Sequence, residues 1–324
     1  MTASSTAKSV STWIRSHWAV IRKTGTLPFV ALVVSLLVIV AREIDWAAVW
    51  SAILAYRAET LWTAALIALA SYLVYSTFDV LGKWYIGQEL AWWKSMLVGF
   101  ISYAFTMSLG APVGGLGMRL RLYTKMGLGR GEVMRIMGLS LTTNWVGYCL
   151  LAGAVFASGQ IEMPLSWELG NTGLRLIGVG MLGLGALYLY LCAFSRTRVW
   201  TIRGHEIELP DVALAAMQVS LAIVNWCLIA AVIYSVMPDN IAYIPVLGTL
   251  LVSAIAGAIA HIPGGIGVTE SVFVTFFSSS MPRTDILGAM FVYRAMYYLG
   301  PLVLAGVCYL LLETRLATAP STET

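Results

Sequence analysis

"GAPVGGLGMRLRLY", residues 110–123, decides how this chain is read. It closes one of the most apolar stretches of the sequence. Gly110, Gly114, Gly115 and Gly117 cluster around Pro112, and Arg119 and Arg121 follow directly behind them. Glycine and proline weaken a helix, and a guanidinium inside hydrocarbon is costly unless it is paired or faces a cavity. A segment that simply crossed a bilayer would have little use for either.

Composition sets the class. Of 324 residues, 59% are hydrophobic and 11% are charged, and the mean hydropathy is +0.81. A soluble domain carries roughly 25% charged residues, so most of this surface must face lipid. A crossing helix needs about 20 apolar residues, and several windows reach that length. The alternating ~10-residue segments of a membrane barrel do not occur. The expected fold is an all-α polytopic membrane protein. Cys149, Cys192, Cys227 and Cys308 lie inside apolar runs without ligand spacing, and His17, His205 and His261 are scattered. Neither a disulfide framework nor a metal or cofactor site is expected, and nothing points to nucleic acid. The first apolar run ends at Ala41-Arg42-Glu43 without a small-residue cleavage pattern and reads as a signal anchor.

Three regions follow: a basic segment 1–26 with Lys8, Arg15, Arg22 and Lys23, one transmembrane domain over 27–313, and a polar tail 314–324. Full spans are expected at about 27–44, 60–82, 134–157, 172–194, 212–237 and 284–312, six in all. Residues 45–58, with Trp46, Trp50 and Tyr56, fit a helix lying in the interface. "WTIRGHEIEL" (200–209) suits a small hairpin around Gly204. Two apolar stretches are interrupted, 95–118 by the opening motif and 241–280 by "HIPGGIG" (261–267).

Short-loop lysine and arginine stay cytoplasmic, which places the basic amino terminus, Lys83 and Lys94 inside. A simple crossing by 95–118 would then export Arg119, Arg121, Lys125, Arg130 and Arg135. If that stretch enters, breaks and returns, the bases stay inside. The loop with Glu162 and Glu168 then falls outside, the loop with Arg196, Arg198 and Arg203 inside, and Asp239 outside. By the same logic 241–280 enters and leaves from the outside, and the carboxyl terminus is cytoplasmic.

The two breaks resemble each other. Gly114-Gly115-Leu116-Gly117 aligns with Gly264-Gly265-Ile266-Gly267 at an offset of 150, and Asn144 then meets Arg294 and Tyr148 meets Tyr298. Broken segments at matching places in two halves mark an inverted-repeat transporter. The halves would be about 60–160 and 211–313, giving six full spans plus two re-entrant broken-helix hairpins.

Broken backbone is tolerated at this depth only beside protein or a wet cavity. A half-helix starting after Gly117 would aim its free N–H groups and positive dipole end inward, with Arg119 and Arg121 in its first turn. A guanidinium fork suits bidentate phosphate binding. The plainer alternative makes Arg119, Arg121 and Lys125 positive-inside anchors that snorkel to headgroups. Glu270 and Arg294 admit two compatible readings: a headgroup or proton-coupling pair, or a salt bridge holding the second hairpin to the last span. Asp79 and Lys83, one turn apart, read as an i,i+4 pair. The candidate headgroup-binding set is Gly114, Gly115, Gly117, Arg119 and Arg121 with Gly264, Gly265, Gly267, Glu270 and Arg294. No HExxH, no GxSxG and no paired carboxylates in one span are present, so no catalytic residue is assigned.

"GGLGMRLRLY", then "HIPGGIGVTESVF" and later Tyr293-Arg294, resembles the lysylphosphatidylglycerol synthase transmembrane-region family. That family includes the flippase half of the bacterial multiple peptide resistance factor and stand-alone inner-membrane proteins. The resemblance covers about residues 25–315. It implies a multi-pass bacterial inner-membrane protein of two inverted repeats that binds or moves phospholipids between leaflets. The soluble aminoacyl-transferase domain of the full factor has no counterpart after the last span, so an enzyme is not expected. Possible protein partners are a second copy of the chain or a lipid-synthesising enzyme that the chain would anchor.

Overall fold

A computed structural model describes residues 46–318 except 165–166, 168–169, 197–198, 203–204 and 261, together with residues 35, 38 and 42. The basic segment 1–26 and, apart from those three positions, the expected span 27–44 lie outside the described residues. So do Glu168, Gly204, His261 and positions 319–324.

The elements run α1 (Trp46–Ala55), α2 (Ala58–Tyr85), α3 (Trp92–Leu109), a π-helical segment (Ala111–Gly117), α4 (Met118–Lys125), α5 (Arg130–Ser158) and α6 (Gly170–Phe194). After a two-stranded hairpin of β1 (Val199–Ile202) and β2 (His205–Glu208) come α7 (Val212–Ser235), α8 (Tyr243–Ala260), a 3₁₀ turn (Pro263–Gly265) and α9 (Val268–Phe277). The chain closes with α10 (Arg283–Arg294), a π-helical segment (Ala295–Leu299) and α11 (Gly300–Thr318). In the β-hairpin, Val199 pairs with Glu208 and Ile202 with His205, antiparallel.

Among the described residues six helices are long and apolar enough to cross a membrane: α2, α5, α6, α7, α8 and the continuous stretch Arg283–Glu313. Five of these are spans expected from sequence. The sixth, α8, is the entering limb of the interrupted stretch 241–280. Large apolar side chains stand exposed along them, among them Leu66 on α2, Leu176 and Leu184 on α6, and Val303 and Leu310 on α11. Water would oppose that exposure at about 25 cal/mol per Å²; lipid does not. This is an all-α polytopic membrane protein, and the one β-hairpin among the described residues lies between spans. On α1, Trp46, Trp50 and Leu54 face outward while Val49 is buried, as an interfacial helix requires.

Glycine sets how closely the helices approach. A Cβ on Gly178 of α6 would sit 2.6 Å from the backbone nitrogen of Ala157, and one on Gly147 of α5 would sit 2.2 Å from the Cβ of Ala222 on α7. In lipid, where helices gain little from apolar burial, such close backbone packing supplies much of the association.

The broken stretches are hairpins that point at each other. α3 and α4 form the first. Its open end lies at the end of the bundle where α11 finishes, because Arg121 and Lys125 both bind Glu313. α8 and α9 form the second. Its open end lies at the opposite end, because the Trp167 ring after α5 meets Phe276 at 5.8 Å between centroids. Their tips meet: a Cβ on Gly264 would sit 2.4 Å from the carbonyl oxygen of Met107. The order long helix, broken hairpin, long helix thus occurs twice, as α2–α5 and as α7–α11, with α6 between.

Candidate functional site

The first break turns at Gly110, whose φ of 83° is a left-handed value that suits glycine. Helical backbone then resumes at once and runs through Gly117 into α4, the N–H of Gly114 donating to the carbonyl of Gly110 at 3.0 Å. The half-helix therefore starts at residue 111, and no free N–H set opens after Gly117 as the sequence had suggested. Gly114 serves another purpose: a Cβ there would lie 2.1 Å from the nitrogen of Thr106 and 2.2 Å from the carbonyl carbon of Phe105. It lets the returning limb lie directly on α3.

Arg119 lies one turn further along, with 2% of its surface exposed. Its Nε donates to Oδ1 of Asp79 at 3.0 Å and its Nη2 to Oδ2 at 2.7 Å, a bidentate pair. Nη1 reaches the carbonyl of Gly115 at 3.3 Å, and the Tyr123 hydroxyl donates to Asp79 Oδ1 at 3.0 Å. Asp79 is wholly buried and binds Arg119, not Lys83; this corrects the expected i,i+4 pair. The physical reason is depth: a carboxylate that far inside must be paired, and Lys83 lies a turn closer to the surface. The signal was readable, since Asp79 continues the helical stripe Ala64, Ala68, Tyr72 and Tyr75 that α2 buries. Arg121 points elsewhere. Its Nε donates to the Tyr309 hydroxyl at 2.8 Å and its Nη2 to Glu313 at 2.7 Å, fastening α4 to the last turns of α11.

At the second break Gly264, Gly265 and Gly267 take φ of 63°, 60° and 80°, so here the glycines make the turn itself. That turn aims two carbonyls at Arg294: Nη1 donates to Gly264 at 2.7 Å and Nη2 to Gly265 at 3.0 Å. The same guanidinium grips Glu270, through Nε to Oε1 at 2.7 Å and Nη2 to Oε2 at 3.2 Å. The Tyr298 ring stacks on it at 4.5 Å, and the Tyr298 hydroxyl donates to Gly264 at 3.2 Å. Glu270 stands in the first turn of α9 and accepts the N–H of Gly267 at 2.8 Å, where the helix dipole favours a carboxylate.

Each hairpin is thus held by one arginine–carboxylate pair that also binds glycine carbonyls of the break, but with opposite polarity. In the first the cation rides on the hairpin and the acid on a span; in the second the acid rides on the hairpin. Their exposure differs too. The Arg119 and Asp79 side chains are 3% and 0% exposed, those of Arg294 and Glu270 12% and 16%. A buried pair is closed to ligands. A partly exposed one can exchange its carboxylate for another bidentate anion such as a phosphate.

Between the two pairs lies a polar seam that sequence reasoning missed. Ser71 donates to Asn225 Oδ1 at 2.8 Å and shares a hydrogen bond with the Tyr297 hydroxyl, also at 2.8 Å. Tyr103 meets that hydroxyl at 2.9 Å. Tyr72 donates to the carbonyl of Tyr297 at 2.9 Å, which Pro301, lacking an N–H, cannot serve from four residues on. The tyrosines carry no spacing signal that separates them from ordinary core aromatics.

Comparison with known proteins adds three findings. The profile of the family described as "Lysylphosphatidylglycerol synthase TM region" matches residues 29–305. The chain is 43% identical over 304 residues to the "Inner membrane protein YbhN" of Escherichia coli (strain K12), covering 93% of this chain and 96% of that one. It is 28% identical over 218 residues to the "Phosphatidylglycerol lysyltransferase" of Staphylococcus haemolyticus, covering 63% of this chain and 24% of that much longer protein.

Proposed function

Because the chain belongs to the lysylphosphatidylglycerol synthase transmembrane-region family, we propose that it is a flippase-like protein of the bacterial inner membrane that binds anionic phospholipid headgroups and moves them between leaflets. The observation that carries this reading is the pair of opposed hairpins whose tips meet at Gly264 and Met107, with the partly exposed Glu270–Arg294 pair beside that meeting point. Two halves, about 60–160 and 211–313, are inverted with respect to each other. The end carrying Lys83, Lys94, Lys125 and Arg130 is cytoplasmic, and so are both termini.

Arg294 is the headgroup contact in this reading. An arriving phosphate takes the two donors that Glu270 holds, and the carbonyls of Gly264 and Gly265 keep the guanidinium in place meanwhile. Arg119 and Asp79 do not touch the lipid; they fix the first hairpin to α2. Proteoliposomes carrying the purified chain should speed redistribution of a fluorescent anionic phospholipid, and Arg294→Gln should abolish the gain. Rates equal to those of empty liposomes across several lipids would sink the reading.

A further inference from the structure

One well-defined cavity lies away from both breaks. At the end of the bundle opposite Glu313, α1, the end of α7 and the first turns of α10 enclose an open cleft of about 660 Å³, within the ~300–1,000 Å³ range of small-molecule sites. Ala52, Leu287 and Phe291 give it apolar walls, and Tyr56, Thr284 and Asp285 give it a polar side. Asp285 is the one ionised group there; among the described residues no lysine, arginine or histidine lines the cleft.

Two further observations fix its setting. The opposite face of α1 turns Trp46, Trp50 and Leu54 outward, 52%, 63% and 67% exposed, so the helix lies in the interface and the mouth opens at headgroup depth. The polar wall is also held by hydrogen bonds. Tyr56 donates to the carbonyl of Val236 at 2.8 Å, and burial first, then the charge of Asp285, holds its phenol above the ordinary range. Asp285 stands beside it, its Oδ1 accepting from the Thr284 hydroxyl at 3.1 Å, with no basic side chain among the residues lining the cleft.

We propose that this cleft binds the primary ammonium of a zwitterionic aminophospholipid headgroup, with Asp285 as its acceptor. The inference rests on the reading that the chain handles phospholipids, but on none of the residues of the second break. A primary ammonium brings three N–H donors and a positive charge to the carboxylate. A trimethylammonium brings the charge without donors, and a glycerol headgroup brings hydroxyl donors without the charge, leaving its phosphate near Asp285 uncompensated.

The test uses the full chain, delipidated and returned to equal amounts of phosphatidylethanolamine, phosphatidylcholine and phosphatidylglycerol, with retained lipids counted by native mass spectrometry. The wild type should hold ethanolamine lipid over choline lipid by about threefold, the scale of one partly solvated ion pair. Asp285→Asn should bring the two level, and Leu287→Trp, which fills the cleft, should do the same without touching the carboxylate. Arg294→Gln should lower all three lipids while leaving the ethanolamine-to-choline ratio unchanged, so failure at the break and failure at the cleft are told apart. Equal retention of the two lipids by the wild type, or an unchanged ratio in both cleft variants, overturns the proposal.

Discussion

The buried Asp79–Arg119 pair makes the sharpest stability prediction. Asp79 receives three hydrogen bonds, at 2.7, 3.0 and 3.0 Å, and neither partner has more than 3% of its side chain exposed. Asp79→Leu strands a guanidinium in the protein interior, with the carbonyl of Gly115 and the neighbouring Tyr75 phenol but no carboxylate left to it; Arg119→Met strands the carboxylate. Breaking one side of such a pair costs about 3–5 kcal/mol, while replacing both sides with apolar groups of similar size is often close to neutral. The lower figure is expected here, because a chain unfolded within the membrane still finds polar partners. Each single variant should thus lose about 3 kcal/mol, and Asp79→Leu/Arg119→Met should recover at least 2 of it. Denaturant titration in detergent micelles, read by fluorescence and by size-exclusion recovery, measures all four proteins. A double variant no more stable than the worse single would refute the reasoning, for removing the second charge would then relieve nothing.

Four further outcomes follow from the same geometry. Gly114→Ala forces a methyl group to 2.1 Å from the Thr106 nitrogen and should cost about 3 kcal/mol or more; Gly138→Ala, whose Cβ meets nothing within 4 Å, should stay within about 0.5 kcal/mol of wild type by the same titration. Tyr72→Phe removes the donor that serves the Tyr297 carbonyl and should cost about 1 kcal/mol, with a double cycle against Tyr103→Phe reporting how far the seam acts as one network. Glu313→Gln weakens the shared anchor of Arg121 and Lys125; because those side chains are partly solvated, a loss near 1 kcal/mol is expected, and a loss above 3 would show a buried role. Cysteines placed at Lys94 and Ser279 should label from opposite sides of sealed vesicles, and labelling from the same side would remove the opposed-hairpin orientation.

Much of the fold was legible because membrane burial writes it in long apolar runs and in where the bases fall. Five of six expected spans stand where hydropathy put them, and the sixth lies outside the described residues. The breaks were legible as breaks, but not in detail. Both read "GG[LI]G", yet in one the turn is made by Gly110 and the glycines that follow serve packing, while in the other the glycines make the turn. Side-chain volume and backbone angle both select glycine, and sequence alone does not say which is at work. Arg119 and Arg121, two residues apart on one short helix, point to different partners on α2 and α11, a consequence of the 100° step between helical residues that spacing predicts only in outline. Asp79 was assigned to the nearest base in sequence when a base 40 residues away was nearer in space.

The central claim is that Arg294, and not Arg119, meets the lipid. The direct measurement is the rate at which a labelled anionic phospholipid changes leaflet in proteoliposomes carrying, at equal density, the wild type, Arg294→Gln or Asp79→Leu/Arg119→Met. The account predicts a rate near wild type for the double variant and a rate equal to empty liposomes for Arg294→Gln. A silent double variant that is nonetheless folded, alongside an active Arg294→Gln protein, would contradict it.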